Sequence, residues 1–386
     1  MARRLDRSFF RWNLLLAGAV LGWAGAFALG PSAEAGETIR VLIVKDFAGV
    51  KVSGEGLSLQ DLKTGLAYLK IKGYSSLTVD RGSGPRLRIR GRPLTAGGFQ
   101  LESQGAPLLV NGRYYRHKLK FVPGPNGDVW VINVLPVEEY LAGLVNYEIS
   151  SQWTMEAIKA QVVAARTYAS YQKRARSGEA YDVDSGVNDQ MYGGVGKEDA
   201  RSRRAVRETE GELTLHKGNP VFAVYSSCCG GKTEEGEQMW PGDFPYLRGV
   251  ECSYCLDSPH FIWNYSLDGE RLGMALGNPA PSARILKLEI GDRSLSRRVL
   301  KLALHTETGR RAITGKEFRR LLGYDQLRST NFVVAEKDGA FHFSGLGWGH
   351  GVGLCQWGAK GMAEAGKDYR FILKSYYQDV EIGPTR

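Results

Sequence analysis

The chain lacks the periodicities that mark fibrous and repeat proteins: its 49 glycines fall in no period of three, and no segment of about 20 to 50 residues recurs. Collagen, solenoids and propellers are thereby excluded. With 43% hydrophobic residues it has too much apolar material for a disordered chain, and 386 residues suffice for one large or two smaller domains. Nucleotide fingerprints are missing as well. Gly349-His350-Gly351-Val352-Gly353 has no third glycine at the dinucleotide offset and opens no βαβ unit, and there is no P-loop. An excess of acid is also lacking, since 51 Lys and Arg oppose 41 Asp and Glu for a formal charge of +10. A basic balance suits anionic partners, but the dense runs at Arg81 to Arg92 and Arg201 to Arg207 do not interleave with aromatics, so nucleic acid is not an expected partner.

What is present begins with an export signal at residues 1–35. Arg3, Arg4, Arg7 and Arg11 precede an uncharged stretch from Leu14 to Gly30, and Ala33-Glu34-Ala35 supplies small residues at a cleavage spacing before Gly36. The stretch is slightly short for a spanning helix, which needs about 20 residues. Cleavage is therefore the expectation, and a retained N-terminal anchor, the one route to a membrane, is the alternative. Without this segment the chain keeps a charge of +8.

The order of elements predicts an α+β fold in which a β-rich scaffold and a few helices present a cleft. Strands are expected at 39–44, 87–90, 114–122 and, after the turn at 125–128, 129–134. From Pro136 the period changes. Val137 to Tyr147 reads as one helix, and Thr154 caps a second running to about Arg174, with Ile158, Val162, Ala165 and Ala169 on one stripe. A basic helical piece near Asp199 to Thr209, a strand at 220–226, strands over 283–340 with a short helix at Gly315 to Leu322 capped by Thr314, and two C-terminal helices complete the pattern. The expected division is a β-rich region at 36–110 and a second domain at 111–386.

Three segments hold residues that folding alone does not require. Glu148, at the end of the first helix, opposes the helix dipole, and burial beside Tyr147 and Trp153 would raise its pKa toward a general acid's. Arg166, on the flank of the second helix's stripe, would want an acidic or sugar partner. Cys228, Cys229, Cys252 and Cys255 form CC-x22-CxxC, a spacing suited to tetrahedral zinc through Cys229, Cys252 and Cys255 with Cys228, His260 or water as fourth. One or two disulfides compete with that reading. A metal there would be a structural clip, because closed thiolate sets leave no open position. In Gly345 to Ala359, Trp348 and Trp357 offer faces for sugars and His350 and Gln356 offer hydrogen bonds, with Asp189-Gln190-Met191-Tyr192-Gly193-Gly194 a similar loop.

Taken in order, Leu135-Pro136 through Glu148, Lys159-Ala160-Gln161 to Tyr168, Asp189 to Gly193, Ser226-Ser227-Cys228-Cys229-Gly230-Gly231-Lys232-Thr233-Glu234 and Gly349 to Ala359 resemble the SpoIID/LytB family of cell-wall proteins, over about residues 130–380. The resemblance implies lytic transglycosylase activity on peptidoglycan glycan strands, with Glu148 as catalytic acid, Arg166 as a site arginine, and Gln190, Tyr192, His350 and Gln356 along the glycan groove. It also implies roles in sporulation or wall turnover, outside the cytoplasm in the periplasm or cell wall. Some relatives carry zinc near the cysteine segment, which the chemistry itself does not require. The family's enhancer branch implies an alternative: a non-enzymatic glycan-binding module that stimulates a cell-wall amidase as partner. A zinc-dependent hydrolase at the cysteines is a third class. Two positions depart from the family pattern, Cys355 where Ser is usual and Ser226 where His often stands.

Overall fold

A computed structural model describes residues 37–46, 49–81, 87–89, 91–94, 97–277 and 284–384. The export segment read at 1–35 lies outside the described residues. Among the described residues no helix is long and apolar enough to cross a membrane.

Alternating and β-branched runs make the N-terminal part a pair of antiparallel sheets. Thr38–Asp46 pairs with Val129–Pro136, which pairs in turn with Lys118–Pro123, and the sheet continues through Phe99–Glu102 and Ser58–Asp61 to Ala67–Lys70. The second sheet centres on Val50–Glu55 and Tyr74–Arg81. Inward residues such as Val52, Val79, Leu119 and Val131 are fully buried, and Phe99 stacks on Phe121 with centroids 4.9 Å apart. Strands before and after residue 110 share both sheets, and that position lies at the turn of the hairpin Leu108–Val110/Arg113–Tyr115.

The single strand expected at 114–122 is two strands in different sheets. His117 between them adopts φ 61, a left-handed conformation that turns the chain from one sheet to the other. Strand pairing over 220–226 is likewise confined to its ends, Asn219–Pro220 and Tyr225–Ser226.

Helices follow where the apolar period changes. α1 is Val137–Glu148 and α2 is Met155–Ala175, with Ile158, Val162, Ala165 and Ala169 all buried as the stripe predicts. Thr154 holds the N-cap position of α2, but its side chain makes no capping hydrogen bond. α3, Ala200–Glu208, is capped by Asp199, whose side chain accepts from the Ser202 amide. Short helices α4, Gly236–Met239, and α5, Gly269–Ala275, precede α6, Gly315–Leu322, where Thr314 caps as expected. α7, Gln356–Glu364, and α8, Tyr369–Tyr376, end the helical part.

Among the described residues, two hydrophobic cores result. The larger joins the N-terminal sheets to α1, α2, α7 and α8. A separate one, built on Trp263, Leu272, Phe318, Phe332 and Phe343, fills a lobe between the CxxC segment and the glycine-rich loop. Its sheets are Ile262–Asp268/Ala340–Leu346/Phe332–Lys337 and Lys287–Ile290/Lys301–Thr306/Gly309–Thr314, with α6 packed on them. The chain leaves the main core after Cys255 and is back in it at Val352, just before Leu354–Cys355, which pairs in parallel with Tyr225–Ser226. That two-residue parallel pairing positions the site.

Candidate functional site

Glu148 is the last residue of α1, where the dipole disfavours an anion. Its Oε1 accepts a 2.6 Å hydrogen bond from the Met191 amide, and the Tyr225 hydroxyl and the Gln356 amide reach the same carboxyl. Burial dominates these bonds and pushes the carboxyl up to about 7. The group faces a cleft of about 990 Å³ whose walls come from both cores, with Tyr168, Tyr225, Trp240, Trp348, His350 and Gln356 on the main side and α6 on the other. A separate groove of about 750 Å³ lies beside α1 and α3, but its acids are already paired, as in the 2.6 Å Arg116–Glu198 bridge.

Another acid lining the cleft, Asp189, is fully engaged: it accepts from Arg176 at 2.6 and 3.0 Å, from Tyr168 at 2.6 Å and from the Asp184 amide at 2.7 Å. Gln190 is buried behind the wall. It donates to the Ala165 carbonyl at 3.2 Å and to the Tyr225 hydroxyl at 3.1 Å, and accepts from Tyr140 at 3.0 Å. Its work is to aim Tyr225 at Glu148. Gln356, the first residue of α7, is anchored to Gln161 at 3.3 Å, which holds its amide toward the carboxyl.

His350 lies on the cleft wall, yet both ring nitrogens face backbone. Nδ1 accepts from the Val352 amide at 3.0 Å and the other nitrogen is directed at the Tyr225 carbonyl. Burial and the nearby Arg319 and Arg298 guanidinium groups push its pKa down to about 3, so it is neutral and takes no proton at working pH. The flanking glycines are required. Gly349 has φ 117 with a Cβ position 2.5 Å from that of Ser226, and Gly351 has φ 80 with a Cβ position 2.0 Å from the Arg298 guanidinium.

Besides Gln190, two more expected site residues lie away from the cleft. Arg166 is 3% exposed and forms a two-point bridge to Glu138 at 2.7 and 2.8 Å, with further bonds to the Glu212 and Val206 carbonyls; it ties α1, α2 and α3 together. The neighbouring acid satisfies the guanidinium better than an open groove would. Tyr192 is core: its hydroxyl donates to Asn133 at 2.9 Å and its ring packs on Tyr115 and Tyr140. Trp357 also turns inward, edge-on to Trp153 at 5.2 Å, whereas Trp240, which the sequence did not single out, lines the cleft edge-on to His350 at 5.0 Å.

The cysteines rearrange the expected ligand set. The sulfurs of Cys229, Cys252, Cys255 and Cys355 lie within 4.8 Å of one another, all buried, and every cysteine is a free thiol. Cys228 is outside this set, directed at the Cys255 carbonyl at 3.9 Å, and His260 packs edge-on to Trp348. Corners of a tetrahedron around zinc are about 3.8 Å apart for bonds of about 2.3 Å; the Cys229 and Cys255 sulfurs are 3.6 Å apart. Fully buried Arg298 adds a charge argument. It donates to the Cys229 and Lys232 carbonyls and to the Ser296 hydroxyl, its Nε has no partner, and against the cost of burial its charge is favoured first by Glu234 and then by Cys229, Cys355 and Cys228. Four neutral thiols do little for that guanidinium, whereas four thiolates around a divalent ion carry a net negative charge. The four residues can hold a metal. Cys355 went unrecognised because it is remote in sequence from the CxxC; the parallel pairing of Leu354–Cys355 with Tyr225–Ser226 delivers it.

Comparisons with known proteins follow the same division. The family described as Stage II sporulation protein matches residues 125–216, from the strand before α1 to that after α3. A domain of unknown function matches residues 256–353, the lobe with its own core. An uncharacterized protein of Brachyspira hyodysenteriae is 36% identical over 74% of this chain and 76% of its own length. Stage II sporulation protein D of Bacillus amyloliquefaciens is 29% identical over 64% of the chain and 74% of its own length. The amidase enhancer of Bacillus subtilis is 29% identical over 61% of this chain, which spans 39% of that protein. On these matches, the chain belongs to the SpoIID/LytB family.

Proposed function

We propose that the protein acts at the cell wall as a peptidoglycan lytic transglycosylase, with Glu148 as general acid and then base. The observation that carries this reading is one desolvated carboxyl with a pKa near 7 in a large cleft whose other acids are Asp189, locked to Arg176, and Glu317 and Asp325, which belong to the lobe wall with α6. Hydrolases of the usual kind need two working carboxyl groups. A transglycosylase manages with one, because its nucleophile belongs to the substrate.

In the first step protonated Glu148 donates to the glycosidic oxygen as the bond from C1 of N-acetylmuramic acid breaks. Positive charge develops at C1 and the ring oxygen, and the new carboxylate lies beside it. In the second step the 6-hydroxyl oxygen of the same sugar bonds to C1, and its proton passes to Glu148. The carboxyl ends as it began, no water is consumed, and the product carries a 1,6-anhydro ring. Tyr225, Gln356 and the Met191 amide stabilise the carboxylate between the two steps, so the proton is neither too tightly held nor too acidic to serve both. Neutral His350 and Trp240 shape the wall and transfer no proton.

The four cysteines would hold a zinc ion, which supplies a rigid clip between the strand pair carrying Tyr225 and Gln356 and the CxxC segment. Export to the envelope, directed by residues 1–35, completes the reading.

Glu148→Gln is the test. Wild type should release anhydromuropeptides from purified sacculi and the variant should release none by mass spectrometry; equal release by both would refute the assignment. The name of the amidase enhancer relative favours a second reading, in which the same cleft binds glycan and the protein stimulates an amidase without cleaving. In that case the variant keeps its stimulation and wild type releases no anhydro ends.

A further inference from the structure

The wall of the cleft opposite Glu148 comes from α6, in the lobe beyond the segment matched to the sporulation family. Arg319 on that helix is half-buried, and its Nε donates to the Leu327 carbonyl at 2.9 Å while the guanidinium lies 4.6 Å over the Tyr324 ring. Its two terminal nitrogens have no acceptor among the described residues, and no carboxylate lies within salt-bridge reach. Arg320 lines the same cleft, exposed and equally without an acidic partner. Desolvating a guanidinium without pairing it is unfavourable, and burial pulls Arg319 down to about 10, still charged. Of the acids nearby, Glu317 is directed at Arg311, 3.8 Å away, and exposed Asp325 makes no ion pair, though its charge partly offsets the burial of Arg319.

The helix is held rather than loose. Lys316 donates to the Met239 carbonyl at 2.7 Å, bridging α6 to α4 just before Trp240, and Trp240 packs edge-on against His350. Arg319 lines the cleft, and its charge is close enough to His350 to depress that ring's pKa. A fixed planar fork with unfilled donors is the geometry that recognises a carboxylate.

We infer that Arg319 and Arg320 form a subsite that binds a carboxylate carried by the muramic residue of the glycan. The inference rests on the glycan-cleaving reading for its substrate and adds what that reading leaves open, the charged group recognised. Two sources supply this chemistry: the lactyl carboxylate, free when the stem peptide is absent, and a carboxylate of the stem peptide itself. Sugar rings and N-acetyl groups are neutral, so a cationic fork discriminates between strands by these groups alone.

Binding is measured in the Glu148→Gln background, where the absence of turnover leaves affinity readable. Soluble glycan strands are prepared with stem peptides retained, with stem peptides removed by an amidase, and with the exposed carboxyls of stripped strands converted to methylamides. Arg319→Gln with Arg320→Gln should weaken binding to a carboxylate-bearing strand by about 10-fold or more, and leave the weaker binding of methylamide strands unchanged. Loss confined to stripped strands identifies the lactyl group; loss confined to peptide-bearing strands identifies the stem peptide. Equal affinity of parent and double variant for both kinds of strand overturns the subsite. Should the double variant melt at reduced temperature, exposed Arg320→Gln and the charge-retaining Arg319→Lys replace it, and unchanged affinity in both overturns the subsite equally. Release of anhydro ends by the Glu148-intact protein is scored separately, so loss of the subsite and loss of the enzymatic reading give different results.

Discussion

At Glu148 the mechanism and the stability of the fold are linked through one proton. A carboxyl raised from 4.5 to about 7 binds more protons in the folded than in the unfolded chain. Its contribution to stability is therefore fully present below the unfolded pKa and is lost as pH rises through 7, by at most about 3 kcal/mol at 1.36 kcal/mol per unit. Glu148→Gln removes the buried anion but keeps the shape. The variant is expected to melt near the wild-type temperature at pH 4 and above it at pH 8, as followed by circular dichroism. A wild-type melting temperature that tracks the variant's at every pH would refute the raised carboxyl. Glycan cleavage should fall above pH 7 for the same reason, since the first step needs the protonated acid. Tyr225→Phe deletes a donor to the carboxylate and should move that alkaline limb to higher pH, a shift that mere loosening of the wall would not produce.

Element by element, the sequence was most informative where periodicity is strong. The stripe on α2 and the cap of α6 were legible because burial and capping are local consequences of residue spacing. Arg166 shows where local reading stops. Its place beside the stripe pointed to an acidic or sugar partner without choosing between them, and whether that partner lies in a groove or on a neighbouring helix depends on how α1 crosses α2. Tyr192 and Trp357 fail for the same reason: an aromatic beside glycines is equally suited to a sugar or to the core, and only the packing of α1 and Trp153 decides. Arg166→Met should therefore act on the helices rather than on the cleft. Leaving Glu138 unpaired and two carbonyls without their donor should cost about 2 to 4 kcal/mol, seen as a lower urea midpoint. Glycan affinity of the folded fraction should be unchanged, and a selective loss of affinity at full stability would return Arg166 to the site.

Across the whole molecule, the contacts that matter most bridge distant parts of the chain, and composition could not reveal them. The lobe with its own core was visible only as further strands over 283–340, because a second core is a fact about which strands share a face. That lobe is fastened to the main core by buried Arg298, beside the four cysteines, and by Lys316 of α6, which donates to the Met239 carbonyl on α4. The cysteine cluster accordingly sits where the CxxC segment, the Tyr225 strand and the start of α7 meet, close behind the groups that hold Glu148. A metal there would act on catalysis only through the fold. Stripping it with a chelator should lower the melting temperature by several degrees, as loss of a closed thiolate site does. Cys355→Ser should bind less zinc by elemental analysis while Cys228→Ser retains the full stoichiometry. Anhydro products should still form at temperatures where the stripped protein remains folded. Complete loss of activity in a stripped protein whose circular dichroism and melting are unchanged would instead place the metal in the reaction, because a clip can influence Glu148 only by moving the strand and helix that carry its partners.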